Sequence, residues 1–188
     1  MQPTVCHLPL EPHPATPAPM VSSLDVFVTR RTDALELRYR LRGDIARLRV
    51  PGSESPEQRD GLWEHTCFEA FVAVAGQSAY REFNFSPAGH WAVYDFSATR
   101  QPIATPVTAA PSIESEASAG RLELAVTLTT AHLPAHVLAA DLEIGLSAVV
   151  ECVDMLDDAL SYWALRHPGE RPDFHRRDGF VFRLAAIA

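Results

Sequence analysis

The chain has 188 residues, of which 47% are hydrophobic and 21% charged, and its 16 basic and 24 acidic residues give a formal net charge of -8. That length suits one domain with a real core. An acidic balance without a basic stripe argues against nucleic-acid binding, which needs cations to displace counterions.

Residues 1–20 are proline-rich and are predicted to be extended, either as an edge segment or as a loose arm ahead of a single domain over 21–188. A short strand is expected at 24–29 and a turn at 31–33. Leu35, Leu37, Tyr39 and Leu41 then alternate with Glu36, Arg38, Arg40 and Arg42. That period of two marks a strand with one buried face, and the arginines read as its solvated side. Residues 45–50 read as the next strand and 51–61 as a polar loop.

In 67–75, Phe68, Ala70, Val72 and Val74 share one face, with Glu69 and Phe71 on the other. Gly76-Gln77 turns the chain into a strand at 80–85, Ser86-Pro87-Ala88-Gly89 turns it again, and 90–96 returns. Three strands joined by short turns make an antiparallel meander. Phe83 and Phe85 are predicted to pack inward, and Glu82 and Asn84 to face outward.

Residues 97–120 read as loop with room for one strand. Residues 121–129 alternate again, 133–140 suit a helical turn or two, and 141–150 form a strand. A rim element is expected at 161–165 and a closing strand at 180–184. About eight to ten short strands with almost no amphipathic helix predict an all-β sandwich or barrel.

Cys6, Cys67 and Cys152 lie far apart and form no CxxC pair, which suits a reducing compartment rather than a disulfide framework. No basic segment followed by a long apolar core opens the chain. Its longest uncharged apolar run, 124–140, is broken by Pro134 and two histidines. The expectation is a cytoplasmic protein that does not enter a membrane. No phosphate loop, nucleophile elbow or paired zinc ligands occur. Asp154, Asp157 and Asp158 offer oxygens for calcium in an irregular loop, although a solvated turn is the commoner use of such a cluster.

Candidate ligand-binding residues follow from chemistry. Glu69, Glu82 and Asn84 are placed on one face of adjacent strands. Phe71 and Tyr80 share that face and would leave apolar surface exposed unless something covers it. Trp63, Trp91 and Trp163 each lie near a loop or strand end beside polar residues. A flat ring beside a carboxylate and an amide suits a sugar, which stacks one face and hydrogen-bonds through its hydroxyls. The C-terminal stretch 161–180 contains Arg166, His167, Asp173, His175, Arg176 and Arg177, too many charges to bury cheaply. It is expected to lie over an opening of the sandwich, where Arg166, His167 and His175 could reach a ligand. A solvated sheet face and a surface loop held by its own salt bridges are the plainer readings.

The stretches GLWEHTCFEAFV, YREFNFSPAGHWAVYDF and SYWALRHPGERPDFH together resemble a group of bacterial DOMON-like proteins, similar to the type 9 carbohydrate-binding module. The resemblance runs from about Leu24 to Leu184. It implies a jelly-roll-like sandwich of two antiparallel sheets. Members of the wider superfamily bind sugars or haem. The sugar-binding module clamps its ligand between two tryptophans and holds structural calcium, and Trp63 with Trp91 or Trp163 would be the clamp. The haem branch uses a methionine and a histidine, for which only Met155 is available away from the N-terminus. Haem is therefore the weaker branch. The leading expectation is a non-catalytic domain for a small saccharide or an acidic sugar derivative, whose carboxylate or phosphate an arginine of the C-terminal stretch could clamp. A hydrolase using paired carboxylates and a protein-interaction sandwich stay open beside it.

Overall fold

A computed structural model describes residues 5–52, 55–106, 109–153 and 160–187. The aspartate cluster 154, 157 and 158 and Met155 lie outside these residues.

Twelve strands form among the described residues: β1 (Val5–Pro12), β2 (Val21–Arg30), β3 (Ala34–Gly43), β4 (Cys67–Val74), β5 (Tyr80–Phe85), β6 (Trp91–Ala98), β7 (Gln101–Ile103), β8 (Ser112–Ser118), β9 (Arg121–Thr129), β10 (Leu142–Glu151), β11 (Leu160–Ala164) and β12 (Phe182–Leu184). All pair antiparallel in two sheets. The first sheet runs β8-β9-β3-β2-β1 and the second β7-β6-β5-β4-β10-β11, with β12 also on β10. The result is an all-β, jelly-roll-like sandwich. The one α-helix among the described residues, α1 (Ala135–Leu138), lies within the 133–140 stretch expected to turn helically. No helix among the described residues is long and apolar enough to cross a membrane.

The core lies between the sheets and follows strand parity. Leu24, Val26 and Val28 of β2, Leu35, Leu37, Tyr39 and Leu41 of β3, and Leu122, Leu124, Val126 and Leu128 of β9 point in from one side. Phe68, Ala70 and Val72 of β4, Phe83 and Phe85 of β5, and Leu142, Ile144, Leu146 and Ala148 of β10 meet them from the other. Each such large side chain removed from water contributes about 1.5–3 kcal/mol. Tyr39 crosses this layer, and its hydroxyl donates to the Glu69 carbonyl at 2.8 Å.

The described part of the proline-rich segment is not loose: as β1 it forms the edge strand of the first sheet. Residues 5–10 pair with β2, while Glu11 and Pro12 pair with β11, so β1 stitches the two sheets together. Residues 45–50 form no strand. A 3-10 turn at Ile45–Arg47 stands there instead, because the two buried residues, Ile45 and Leu48, are spaced by three rather than two. Residues 97–120 supply two strands, β7 and β8. Both are exposed edge strands held by backbone pairing, with no alternation of apolar residues to signal them. The segment expected as a rim at 161–165 is a paired strand, β11.

Gly43 marks the close approach of β3 to the start of β2. Its φ is +155°, and a Cβ there would lie 2.1 Å from the Met20 carbonyl oxygen. That oxygen accepts the Asp44 amide at 2.9 Å. Gly43→Ala is expected to cost about 2–4 kcal/mol, because backbone rather than a side chain must give way. Chemical denaturation checks this, and a cost under about 0.5 kcal/mol would show that the corner yields freely.

Candidate functional site

The outer face of the second sheet is not left to solvent. Strand parity places Glu69, Phe71, Tyr80, Glu82, Asn84, Tyr94, Phe96, Ser147, Val149 and Tyr162 on it. The chain after β11 folds back across this face. Phe180 packs on Phe71 with ring centroids 5.5 Å apart and meets Tyr80 edge-on at 5.4 Å. Gly145 makes room for it, since a Cβ there would lie 2.8 Å from a Phe180 ring carbon. Arg177 lies over the Phe180 ring and pairs with Glu143 at 2.9 Å. This answers the problem of the apolar outer face, because the charged C-terminal stretch is its lid.

Beside this lid a cleft of about 460 Å³ remains open. Its lining includes Trp63, Glu69, Phe71, Glu82, Tyr94, Phe96, Arg100, Pro102, Val149, Tyr162, Pro172, Asp173, Phe174 and His175. Glu69 and Glu82 form the floor and are 3% and 5% exposed. Their register is diagonal, Glu69 opposite Asn84 and Phe71 opposite Glu82, so the carboxylates come from neighbouring strands of one face. Ser147 Oγ donates to Glu69 Oε2 at 3.0 Å, and Asn84 Nδ2 donates to Glu82 Oε1 at 2.7 Å. The Asn84 amide is itself fixed by the Cys67 thiol, which lies 3.6 Å from Oδ1.

Burial pushes both carboxyls well above the usual carboxylate range, and for Glu69 the charge of Glu82 adds to it. The hydrogen bonds from Ser147 and Asn84 and the charge of Arg100 oppose this rise but do not cancel it.

His175 is wedged between Phe71 and Phe96, edge-on to both at 5.4 and 5.0 Å. Burial, then the charge of Arg100, pushes its pKa down to about 4, so it is neutral at pH 7. Tyr80 Oη lies 2.8 Å from His175 Nδ1 and accepts the Arg100 amide at 3.3 Å. With Tyr80 as donor to Nδ1, the ring proton is assigned to Nε2, which faces Glu82 Oε2 at 3.6 Å. Arg100 pairs with Asp173 at 2.8 Å across the rim. Trp63 is 42% exposed and stands edge-on to Tyr94 at 5.9 Å. Tyr94 in turn donates to Asp60 at 2.7 Å.

The residues singled out in the sequence divide between several places. Trp63, Glu69, Glu82 and His175 meet in the cleft, and Asn84 braces its floor from below. Trp91 and Trp163 do not join them. Both belong to the inter-sheet core, because Trp91 pairs with inward Phe85 and Trp163 with inward Ala148. A clamp of two tryptophans is therefore not formed here. Arg166 lines a separate small crevice with Gly145 and Gly179. His167 turns away to Glu11, with Nε2 2.8 Å from its carbonyl, and packs edge-on against His13.

Tyr94, Phe96 and Tyr162 were missed as lining residues. Tyr94 is the cross-strand partner of Glu82, so parity alone could have found it. Arg100 and Phe174 carry no such signal. Among the described residues no cluster of His, Cys, Asp and Glu is arranged to hold a metal ion.

No family model and no curated protein matches this chain. Among solved structures, it is similar to a candidate carbohydrate-binding protein from Bacteroides uniformis ATCC 8492, with a TM-score of 0.58 and 15% identity over 93% of this chain and 84% of that one. A family 9 carbohydrate-binding module from Caldicellulosiruptor kristjanssonii, in complex with cellotriose, aligns with a TM-score of 0.43 and 11% identity over 83% of this chain and 72% of that one. At these identities the first likeness is one of fold.

Proposed function

We propose that the cleft binds a small saccharide-like ligand without turning it over. The observation that carries this reading is the pairing of buried, braced polar groups with a ring-lined wall. Glu69 and Glu82 are fixed by Ser147 and Asn84, and Trp63, Tyr94, Tyr162 and Phe174 surround them. Rings take the apolar face of a sugar, and oriented carboxylates take its hydroxyls. The fold relative from Bacteroides uniformis is described as a candidate carbohydrate binder, which points the same way without adding to the argument about the site.

A hydrolase is the less favoured reading. Glycoside hydrolysis needs two carboxyl groups flanking the scissile bond from opposite sides. Here both rise from adjacent strands of one floor.

Of the three tryptophans, Trp63 is in the cleft and exposed while Trp91 and Trp163 are 5% and 4% exposed in the core. Ligand binding should therefore change the emission of Trp63 and raise the melting temperature by mass action. The expected result is a saturable fluorescence change with one sugar class at millimolar concentration or below, abolished in Trp63→Ala and weakened in Glu82→Gln. If no sugar shifts the melting temperature, or the signal persists without Trp63, the saccharide reading of this cleft is wrong.

A further inference from the structure

The charge of the cleft is unbalanced. Its lining holds three acids, Glu69, Glu82 and Asp173, and a single permanent cation, Arg100. Arg100 is already matched to Asp173 at 2.8 Å. Around the floor, Asn84, Ser147, Cys67, Tyr80 and Tyr94 are uncharged at neutral pH, and so is His175. No arginine among the described residues lies within 4.0 Å of either floor carboxylate, and the chain contains no lysine. Neither Glu69 nor Glu82 is thus ion-paired with an arginine among the described residues, and Arg100 acts on Glu82 only through its longer-range charge from the rim.

Each floor carboxylate also keeps one oxygen in reserve. Ser147 occupies Glu69 Oε2 and Asn84 occupies Glu82 Oε1. Among the described residues Glu69 Oε1 accepts no hydrogen bond, although the residue is only 3% exposed and lines the cleft. Glu82 Oε2 has only the His175 ring nitrogen, at 3.6 Å. An acceptor left open in a buried site loses its water without compensation unless a donor arrives.

What arrives must suit the walls as well as the floor. Trp63, Phe71, Tyr94, Phe96, Tyr162 and Phe174 present ring faces and edges. Aromatic faces attract a cation, and most strongly one that is only weakly hydrated. A hard metal ion instead wants six to eight oxygens, which these walls do not supply. An anionic sugar would gain no charge-assisted contact from the two carboxyls, which must keep their protons beside it.

We propose that the ligand is cationic, a small ring carrying a primary ammonium, of the amino-sugar class, whose nitrogen donates to Glu69 Oε1 and Glu82 Oε2 while its ring lies against the aromatic walls. This rests on the saccharide reading of the same cleft and specifies its charge. Binding has a proton balance. At neutral pH the raised carboxyls are partly protonated; an ammonium between them favours their ionised forms, and each carboxyl that ionises on binding releases its one proton to the buffer.

Calorimetric titration of the full chain at pH 7 tests this with glucosamine, glucose, N-acetylglucosamine, glucuronate and cyclohexylamine. Two buffers of different ionisation heat are used. Glucosamine is expected to bind about tenfold or more tightly than glucose or N-acetylglucosamine, with glucuronate weakest. Its apparent heat should differ between the buffers, which reports the released proton. Glu69→Gln and Glu82→Gln should each erase the preference while the melting curve shows an intact fold.

If glucose or N-acetylglucosamine binds as tightly as glucosamine, the cationic assignment falls and the saccharide reading stands. Binding of cyclohexylamine with no sugar response supports the cationic assignment and removes the saccharide one. A melting shift with calcium alone, lost in Glu69→Gln, would overturn the proposal in favour of a metal ion. Silence from every probe overturns both readings.

Discussion

Arg30→Ala is expected to lower stability by about 3 kcal/mol. Arg30 ends β2 and is 7% exposed. One of its terminal nitrogens donates to the carbonyls of Leu184 and Ala185 at 2.9 and 2.6 Å. The other donates to the carbonyls of Leu138 and Ala140, the latter at 2.6 Å. The guanidinium thus ties the end of α1 to the C-terminal strand β12, neither of which pairs with β2. Truncation leaves these carbonyls partnerless in a poorly solvated corner, where each orphaned group costs about 1–3 kcal/mol and water recovers part of that.

For a chain of this size the melting temperature should fall by roughly 6–12 °C. Arg30→Lys should restore only a minor part, because an ammonium cannot present a planar fork to acceptors on two segments. Hydrogen exchange supplies a local readout, since amides of β12 should lose protection in Arg30→Ala more than those of β4. A loss under about 1 kcal/mol, with β12 still protected, would mean that packing and not this clamp holds the C-terminus.

Stability should also fall as the pH rises from 6.5 to 8. The sign follows from the floor carboxyls. Folding raises the pKa of Glu69 and of Glu82, so in this window the folded state holds protons that the unfolded chain has already lost. Their contribution is full below the ordinary carboxylate value of about 4.3 and is lost as the pH climbs through the raised values. His175 has the opposite sign. Its pKa falls to about 4, so its contribution is present above the unfolded value near 6.5 and is lost on acidification. The two effects oppose each other between pH 4 and 6.5, which is why the informative window lies above it. Upper-range measurements must also stop short of the thiols, because burial raises Cys67 and Cys152 and gives a further fall once unfolded thiols ionise near about 8.5.

Over the window the expected loss is on the order of 1 kcal/mol. Glu69→Gln keeps the volume and an acceptor for Ser147 but removes the charge. It should flatten the slope and be more stable than the parent at pH 8. Denaturant titrations at several pH values check both points. A parent slope that Glu69→Gln leaves unchanged would place the titration elsewhere in the molecule. The same variant weakens the proposed ammonium contact, so stability gained where binding is lost would mark these carboxyls as held for a ligand rather than for the fold.

Strand parity made most of the sandwich legible. In β3, β4, β5 and β9 the alternation of apolar and polar residues assigned each side chain to its face, and the structure agrees. The same rule put Glu69, Glu82 and Asn84 on one outer surface, because a shift by one residue would have turned Phe83 and Phe85 out of the core. It also contained the answer for Trp91. That residue pairs with Phe85, whose inward direction was already read, so it had to enter the core.

What the sequence determined, then, was periodicity: which strands form and which of their two faces each residue takes, since that depends on neighbours two positions apart. Strands without an apolar face escaped it. β7 and β8 are exposed edge strands held by backbone hydrogen bonds to a neighbour. Only the tertiary structure decided that the outer face of the second sheet carries a cleft. The cleft exists because residues 165–180 return over β4 and β5, placing His175 by Glu82 and Asp173 by Arg100. Those contacts join residues 93 and 73 positions apart, and no local pattern encodes them. They follow from shape, with Phe180 seated where Gly145 leaves no Cβ, and from the need to cover Phe71 and Tyr80.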